Sequence, residues 1–353
     1  MAGRAVVGLD IGTSGVRAAE LTLDKHGVTL ERLGTVALPL GAVRDGEVVD
    51  PDAVAAALRQ LWVQARLRST KVVVGVANQR VVVRQVDLPW QPVAELRSSL
   101  AFSVQDFIPM PVDQAILDFH PLEEFTGDNG ARMLRVLLVA ASREMVGNAL
   151  EAVNRAGLQA SMVDLTSFAV LRSQLTAGGG FAVEAEALVD IGASVTNIVV
   201  HSAGVPRFVR ILLMGGADIT VAVAERLGVA PDEAERWKRS AGLSTVAAQV
   251  DPHPANRAIE STGSSLVEEI RGSLDYYNAQ PNAVRIRRVV LSGGGSRLSG
   301  LLERLSAATR LPVEHAHPMA VLRPGRTGFT ADQLADVEPM VTVPVGLALG
   351  LAS

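Results

Sequence analysis

Asp10 and Asp190 each stand two residues before a glycine, in the stretches VVGLDIGTSGVRAAEL (6–21) and ALVDIGASVTNIVVH (187–201). Both stretches carry Asp-Ile-Gly-[Thr/Ala]-Ser between apolar, partly β-branched runs, which predicts strand, tight turn, strand. Glycine in such a turn lets bare backbone N–H groups approach an anion. The hydroxyls of Thr13, Ser14 and Ser194 add donors, and the aspartates suit the water shell of a magnesium ion better than a phosphate. A single turn of this kind is an ordinary hairpin whose aspartate bonds its own backbone. Two copies, in sequence halves of similar length, point instead to a duplicated domain whose loops grip one polyphosphate from opposite sides. Gly12, Thr13 and Ser14, with Gly192, Ala193 and Ser194, are then expected to line the phosphates. Asp10 and Asp190 would hold Mg2+ through water.

A third stretch, RRVVLSGGGSRLSGL (287–301), reads as an apolar strand, a glycine turn and a helix start with Ser296 or Ser299 as cap. Its spacing fits neither a Walker A loop nor a dinucleotide fingerprint. Gly215 and Gly216, opening a helix expected over 218–227, offer a second N-terminus to phosphate or ribose.

These residues need a scaffold of alternating strands and helices. Strands are expected at 5–10, 16–23 and 29–36, then a helix with Asp50 or Asp52 near its cap and an apolar face of Val54, Leu58, Leu61, Trp62 and Ala65. The β-branched run 71–76 predicts a buried parallel strand. A small β-α-β-β-α unit follows: strand 79–86, helix 95–107 with Leu96, Leu100, Val104 and Phe107 on one face, strands 115–122 and 131–141, and helix 143–156. Beyond the second turn come strand 206–213 and helices 218–227, 231–239 and 266–278. The segments 246–263 and 318–338 show no periodicity and are expected to be irregular.

The 353 residues suffice for two core-bearing domains, and 48% hydrophobic with 20% charged residues describes a folded chain. A net charge of −4, spread along the sequence, argues against nucleic acid as the main partner. Zero cysteines exclude disulfides, thiolate metal sites and a cysteine nucleophile. No apolar run reaches the roughly 18 residues of a membrane helix, and the first strand begins too early for a signal peptide, so a soluble protein is expected.

The order of the three motifs resembles the actin and heat-shock-chaperone ATPase superfamily, where they are two phosphate loops and an adenosine loop. Within it the chain is similar to the PilM family, cytoplasmic actin-like proteins of the type IV pilus inner-membrane platform. GLDIGTSGVRAAEL, SLAFSVQDFIPMPVDQAILDF, EEIRGSLDYYNAQ and VTVPVGLALGLA carry the likeness, which spans nearly the whole chain. It implies an α/β actin-like ATPase fold of two duplicated halves with an inserted small α+β subdomain and a helical one. Subdomain 1A would take 1–77 with phosphate loop 1, and the inserted 1C would take 78–157. A return to 1A and a crossover would occupy 158–185. Subdomain 2A with phosphate loop 2 would take 186–217, the helical 2B 218–283, 2A with the adenosine loop 284–340, and a C-terminal segment returning to 1A 341–353.

The resemblance further implies ATP and Mg2+ in the central cleft. It also implies the cytoplasmic N-terminal segment of the membrane protein PilN in a groove between 1A and 1C, at the cytoplasmic face of the inner membrane. Gly215, Gly216, Gly293, Gly294, Ser296 and Arg297 would surround ribose and adenine. Glu235 and Lys238, in AERWK, match where relatives hold the same groups, although an i,i+3 pair is commonly just a solvated ion pair. Arg271 and Ser273 would be further adenosine contacts. Arg17 stands where relatives have a lysine; it keeps the charge with a different reach. Leu165 stands where chaperone relatives have a water-positioning glutamate, and Asp164 would serve only if its strand pointed the other way. The expectation is ATP binding with slow or no hydrolysis. A small-molecule kinase would need a general base beside its acceptor, for which no residue is evident. An FtsA-like division filament is expected to end in a basic amphipathic helix, whereas this sequence stops at Leu351-Ala352-Ser353. His315 and His317, two apart, would bind metal only with further ligands, and Ser167 has no His/Asp context for nucleophilic work.

Overall fold

Each Asp-Ile-Gly turn closes the first hairpin of its own sheet. In the computed structural model, which describes residues 4–128, 130–176, 184–243, 253–281 and 283–351, β1 (Arg4–Ile11), β2 (Gly15–Asp24) and β3 (Gly27–Ala37) form an antiparallel meander. Along β2, Val16 and Ala18 face one layer and Ala19 and Leu21 the other, all fully buried, because both faces of this sheet are covered. A two-residue-per-strand hairpin, β4 (Val43–Arg44) and β5 (Glu47–Val48), leads to helix α1 (Pro51–Ala65). The Asp50 carboxylate caps α1 by accepting the Asp52 and Ala53 N–H groups. Of the expected face, Val54, Leu58 and Leu61 are buried, while Trp62 keeps one edge out and donates to the Ser69 carbonyl. β6 (Lys71–Val76) runs parallel to β1.

The inserted unit comprises β7 (Val81–Pro89), helix α2 (Val93–Ser103), β8 (Ala115–Thr126) and β9 (Arg132–Ser142), its antiparallel sheet ordered β7-β9-β8. α2 lays Leu96 and Leu100 on Val86, Leu134, Val136 and Leu138. Here the expected helix 95–107 is corrected. It ends at Ser103, a 3-10 turn follows over Gln105–Phe107, and Phe107 is 36% exposed while Ile108 enters the core. Pro109 forces Ile108 into an extended backbone, which unwinds the last turn and rotates the apolar register by one residue. Helix α3 (Arg143–Arg155), capped by Ser142, then returns the chain to β10 (Gln159–Leu165), parallel to β6, and α4 (Thr166–Thr176).

The second half repeats the first. β11 (Ala185–Ile191), β12 (Thr196–Ser202) and β13 (Val205–Leu212) form the meander, α5 (Gly216–Leu227), α6 (Pro231–Ala241) and α7 (Pro254–Asn278) follow, and β14 (Ile286–Ser292) lies parallel to β11. Helix α8 (Leu301–Thr309) connects to β15 (Val313–His315). The order β13-β12-β11-β14-β15 reproduces β3-β2-β1-β6-β10, strand for strand and direction for direction. Of the segment expected to be irregular, 246–252 lies outside the described residues, and 254–263 is helix. Its apolar positions Ala255, Ile259, Leu266 and Ile270 hold helical spacing, but polar residues between them and Gly263 hide it. Gly263 is the contact point: a Cβ there would lie 2.5 Å from Leu243 Cδ2.

The stretch 318–338 is also more ordered than expected. β16 (Arg323–Pro324) pairs with β3, so the chain rejoins the first sheet well before residue 341, and α9 (Ala331–Val337) starts on a Thr330/Gln333 capping box. α10 (Thr342–Leu349) is buried throughout. It lies so close to β1 and α4 that a Cβ on Gly8 would sit 2.0 Å from the Pro344 carbonyl oxygen, and one on Gly346 1.8 Å from that of Ala169. The layers therefore run α1/α3, first sheet, α4/α10, second sheet, α5–α8, and the two central helices share one core with both sheets.

Candidate functional site

The two turns have one geometry. Gly12 N–H donates to the Gly15 carbonyl at 3.0 Å, and Gly192 N–H to that of Val195 at 2.9 Å. Asp10 lies opposite Arg17 in its hairpin and Asp190 opposite Asn197, so Arg17 and Asn197 are counterparts. Arg17 Nη1 donates to Asp10 Oδ2 at 3.2 Å, and Nη2 to Ser14 Oγ at 3.4 Å, which lays the guanidinium over the first turn. Ser292 Oγ, at the end of β14, donates to Asp190 Oδ1 at 2.7 Å.

Asp190 feels the charges of the first turn. Burial pushes Asp190 up to about 6; the Ser292 hydrogen bond opposes this, Asp10 adds to it, and Arg17 opposes it again. Burial also raises Asp10, against the pull of Arg17. Two desolvated carboxylates from separate sheets, with one arginine bonded to Asp10 and acting on both, form a set that gains from added positive charge. That donor set fits a hydrated divalent cation held by Asp10 and Asp190.

The start of α5 corrects one expectation. Gly216 N–H donates to the Gly192 carbonyl at 3.0 Å, Ala217 N–H to that of Ala193 at 2.7 Å, and Gly215 N–H to Asp218 Oδ2 at 2.7 Å. Two of these donors are used by the second turn and the third by Asp218, and both glycines are buried, so Gly215 and Gly216 brace that turn instead of forming an anion site. The glycine turn 293–295 packs against the same loop. Gly293 has φ +84°, and a Cβ on Gly295 would lie 2.4 Å from Ile191 Cγ2. A plain turn needs no such clearance.

Lys238 joins the group. A Cβ on Gly216 would lie 3.6 Å from both Gly295 Cα and Lys238 Nζ. Nζ donates to the Gly216 carbonyl and Thr220 Oγ1, both at 2.9 Å, and pairs with Glu235 at 2.6 Å. Burial raises the Glu235 carboxyl, but hydrogen bonds from Lys238, Thr220 and Arg239 outweigh it and hold it low. The pair is thus a clamp of α6 on α5, and not the solvated ion pair that spacing alone suggests.

Other expected residues are engaged elsewhere. Ser296 Oγ turns back to the Gly293 carbonyl at 2.8 Å, and Arg297 pairs with Asp336 of α9. Neither Ser296 nor Ser299 caps α8; Gly300 does, in a left-handed conformation with no side-chain bond. Ser273 Oγ donates to the Glu269 carbonyl of its own helix, and Arg271 pairs with Glu268 at the surface. Leu165 is buried against Val76, Val81, Met145 and Val146. Asp164 is bound by Arg172, which also donates to the Gly346 carbonyl at 3.0 Å. Neither is set to orient a water molecule. His317 contacts Glu338 at 3.2 Å.

Sequence reading missed two groups. Ser292 is one, although it directly precedes the glycine turn. The other is Asn197, whose Oδ1 accepts from Ser167 Oγ of α4 at 3.1 Å and so ties the second hairpin to the crossover helix. Aligning the two repeats residue by residue would have found it as the counterpart of Arg17.

Among the described residues no helix is long and apolar enough to cross a membrane. The family described as "Type IV pilus assembly protein PilM" matches residues 8–351. The structure titled "PilM-PilN type IV pilus biogenesis complex" superposes with a TM-score of 0.86 at 28% identity, over 99% of this chain and 98% of that one. Cell division protein FtsA of Streptococcus pneumoniae serotype 2 is 26% identical over 335 residues, 84% of this chain and 72% of that protein. MreB5 of Spiroplasma citri, solved with ADP, shares the fold at a TM-score of 0.54 and 12% identity, over 90% of this chain and 94% of that one. The fold is the actin-like one of two duplicated α/β halves.

Proposed function

Since the chain belongs to the PilM family of type IV pilus assembly proteins, we propose that it is an ATP-binding, actin-like scaffold of the pilus inner-membrane platform. One observation carries the nucleotide reading. The same aspartate-glycine turn, with the same Gly N–H bond closing it, ends the first hairpin of two sheets that share no strand, and the buried Asp190 of one feels the charges of Asp10 and Arg17 of the other. In this reading the N–H and hydroxyl groups of residues 12–14 and 192–194 hold the phosphates, with Arg17 in support. Asp10 and Asp190 hold Mg2+ through its water. Ribose and adenine would lie over the exposed Gly294, near Gly215, Gly216, Gly293, Glu235, Lys238, Ser296 and Arg297. Several hydrogen bonds to charged oxygens, at about 1.5–3 kcal/mol each, support affinity of roughly micromolar or tighter.

Hydrolysis would be slow or absent, because Leu165 sits in the core and Asp164 is held by Arg172. The partner proposed is the cytoplasmic N-terminal segment of PilN, in a groove between the first half (1A) and the inserted unit (1C), which would hold the chain at the cytoplasmic face of the inner membrane. The solved PilM-PilN complex, similar over nearly its whole length, supports PilN as the partner. A labelled PilN N-terminal peptide titrated into the full chain, with and without ATP and Mg2+, tests it. Saturable binding is expected; a flat titration under both conditions would end the partner reading.

A further inference from the structure

The short hairpin β4–β5 abuts the root of the inserted unit and faces the second phosphate turn. Its tip, Asp45 and Gly46, has positive φ at both residues, the conformation a tight hairpin requires. A Cβ on Gly46 would lie 1.9 Å from the Ala77 carbonyl oxygen and 3.4 Å from Val195 Cγ2. Ala77 precedes the inserted unit; Val195 closes the turn that begins at Asp190. The tip is therefore tight against Ala77, with no room for a side chain, and Val195 of the second half stands just beyond it.

The hairpin also grips the insert where its two ends meet. Asn78, 2% exposed, donates from Nδ2 to the Asp45 carbonyl at 2.5 Å and accepts the Arg80 N–H at 2.8 Å. Arg80 pairs with Glu47 of β5 and with Glu144 of α3, the latter at 2.8 Å. Its carbonyl accepts the Ser142 N–H from the far end of the insert at 3.1 Å. Val43 and Val48 anchor the hairpin in the core of the first half.

We infer that this hairpin is the mechanical link by which the second phosphate turn acts on the inserted unit, a role that rests on the nucleotide reading above. Displacement of Val195 toward Gly46 as the turn engages a ligand is passed on by the tip, which has no slack against Ala77, to the backbone of Ala77 and Asn78, the hinge of the insert. A second bridge exists: Gln85 Nε2 of β7 donates to the Arg207 carbonyl of β13 at 2.8 Å. It lies further along the insert and serves as the comparison.

Hydrogen–deuterium exchange of the full chain with and without ATP and Mg2+, together with nucleotide titration, tests the link. In the wild type, nucleotide should slow exchange in β7 and β9. In Asn78→Ala and in Arg80→Ala, affinity should stay within about twofold, since both side chains lie away from the phosphate turns, while the slowing in β7 and β9 is lost. Gln85→Ala should keep it. The link is overturned if both variants retain the slowing, if Gln85→Ala alone abolishes it, or if the wild type binds nucleotide with no change in the insert. No binding at all removes the nucleotide reading, and this inference with it.

Discussion

Asp190 carries a cost while it is charged, because it is buried. Its folded pKa, about 6, lies above the ordinary 3.8, so the folded chain holds the proton more tightly than the unfolded chain. The stability this contributes is full below 3.8 and is lost as pH rises through 6. Relative to Asp190→Asn, the wild type should therefore gain about 1 kcal/mol between pH 7 and pH 5, measured by urea unfolding at both pH values. A parallel pair of curves would show that the carboxylate is not desolvated. Arg17 is read from its contacts: with one guanidinium serving Asp10 and the first turn, Arg17→Ala should weaken ATP·Mg2+ by roughly tenfold and Arg17→Lys by less. Fluorescent-nucleotide displacement measures both. Asp10 and Asp190 were legible as a pair because two unrelated hairpins have no reason to share the string Asp-Ile-Gly-x-Ser. Ser292 and Asn197 were not, because an isolated Ser or Asn at the end of an apolar strand looks like any polar strand end.

Among the elements, the strands were the most legible, since unbroken runs such as 71–76 allow little else. Helix ends were less so. Pro109 acts through the residue before it, and α7 begins in a polar stretch whose buried face rests on a glycine fitted to Leu243. Glu20, nearly buried on β2, lies opposite Arg32 of β3 and pairs with it at 2.8 Å, supported by two long N–H contacts from Arg68 and Ser69. Arg32→Ala leaves that charge without its cation and should cost roughly 3–5 kcal/mol of unfolding free energy. A loss under about 1 kcal/mol by urea titration would mean that Glu20 is hydrated. Gly346 sits where α10 and α4 touch; Gly346→Ala must push the helices apart and should cost about 1–3 kcal/mol or more. An unchanged midpoint would show that the central pair is loosely packed.

For the molecule as a whole, duplication is the reason the proposed site draws on two sheets. Each half supplies a strand–turn–strand with an aspartate at the same place, and the central helices α4 and α10 hold the two halves in a common core. The repeated motif made this organisation readable before any coordinates. The early return of 323–324 to the first sheet was not readable, because it is carried by two residues and an Arg323–Asp24 pair too sparse to form a pattern. The most direct test is calorimetric titration of ATP with Mg2+ into the wild type, Asp10→Asn and Asp190→Asn. Bridging predicts one nucleotide per chain at about micromolar affinity or tighter, weakened at least roughly tenfold by either substitution. Absence of binding, or dependence on only one of the two aspartates, would contradict the claim that both turns hold the same triphosphate.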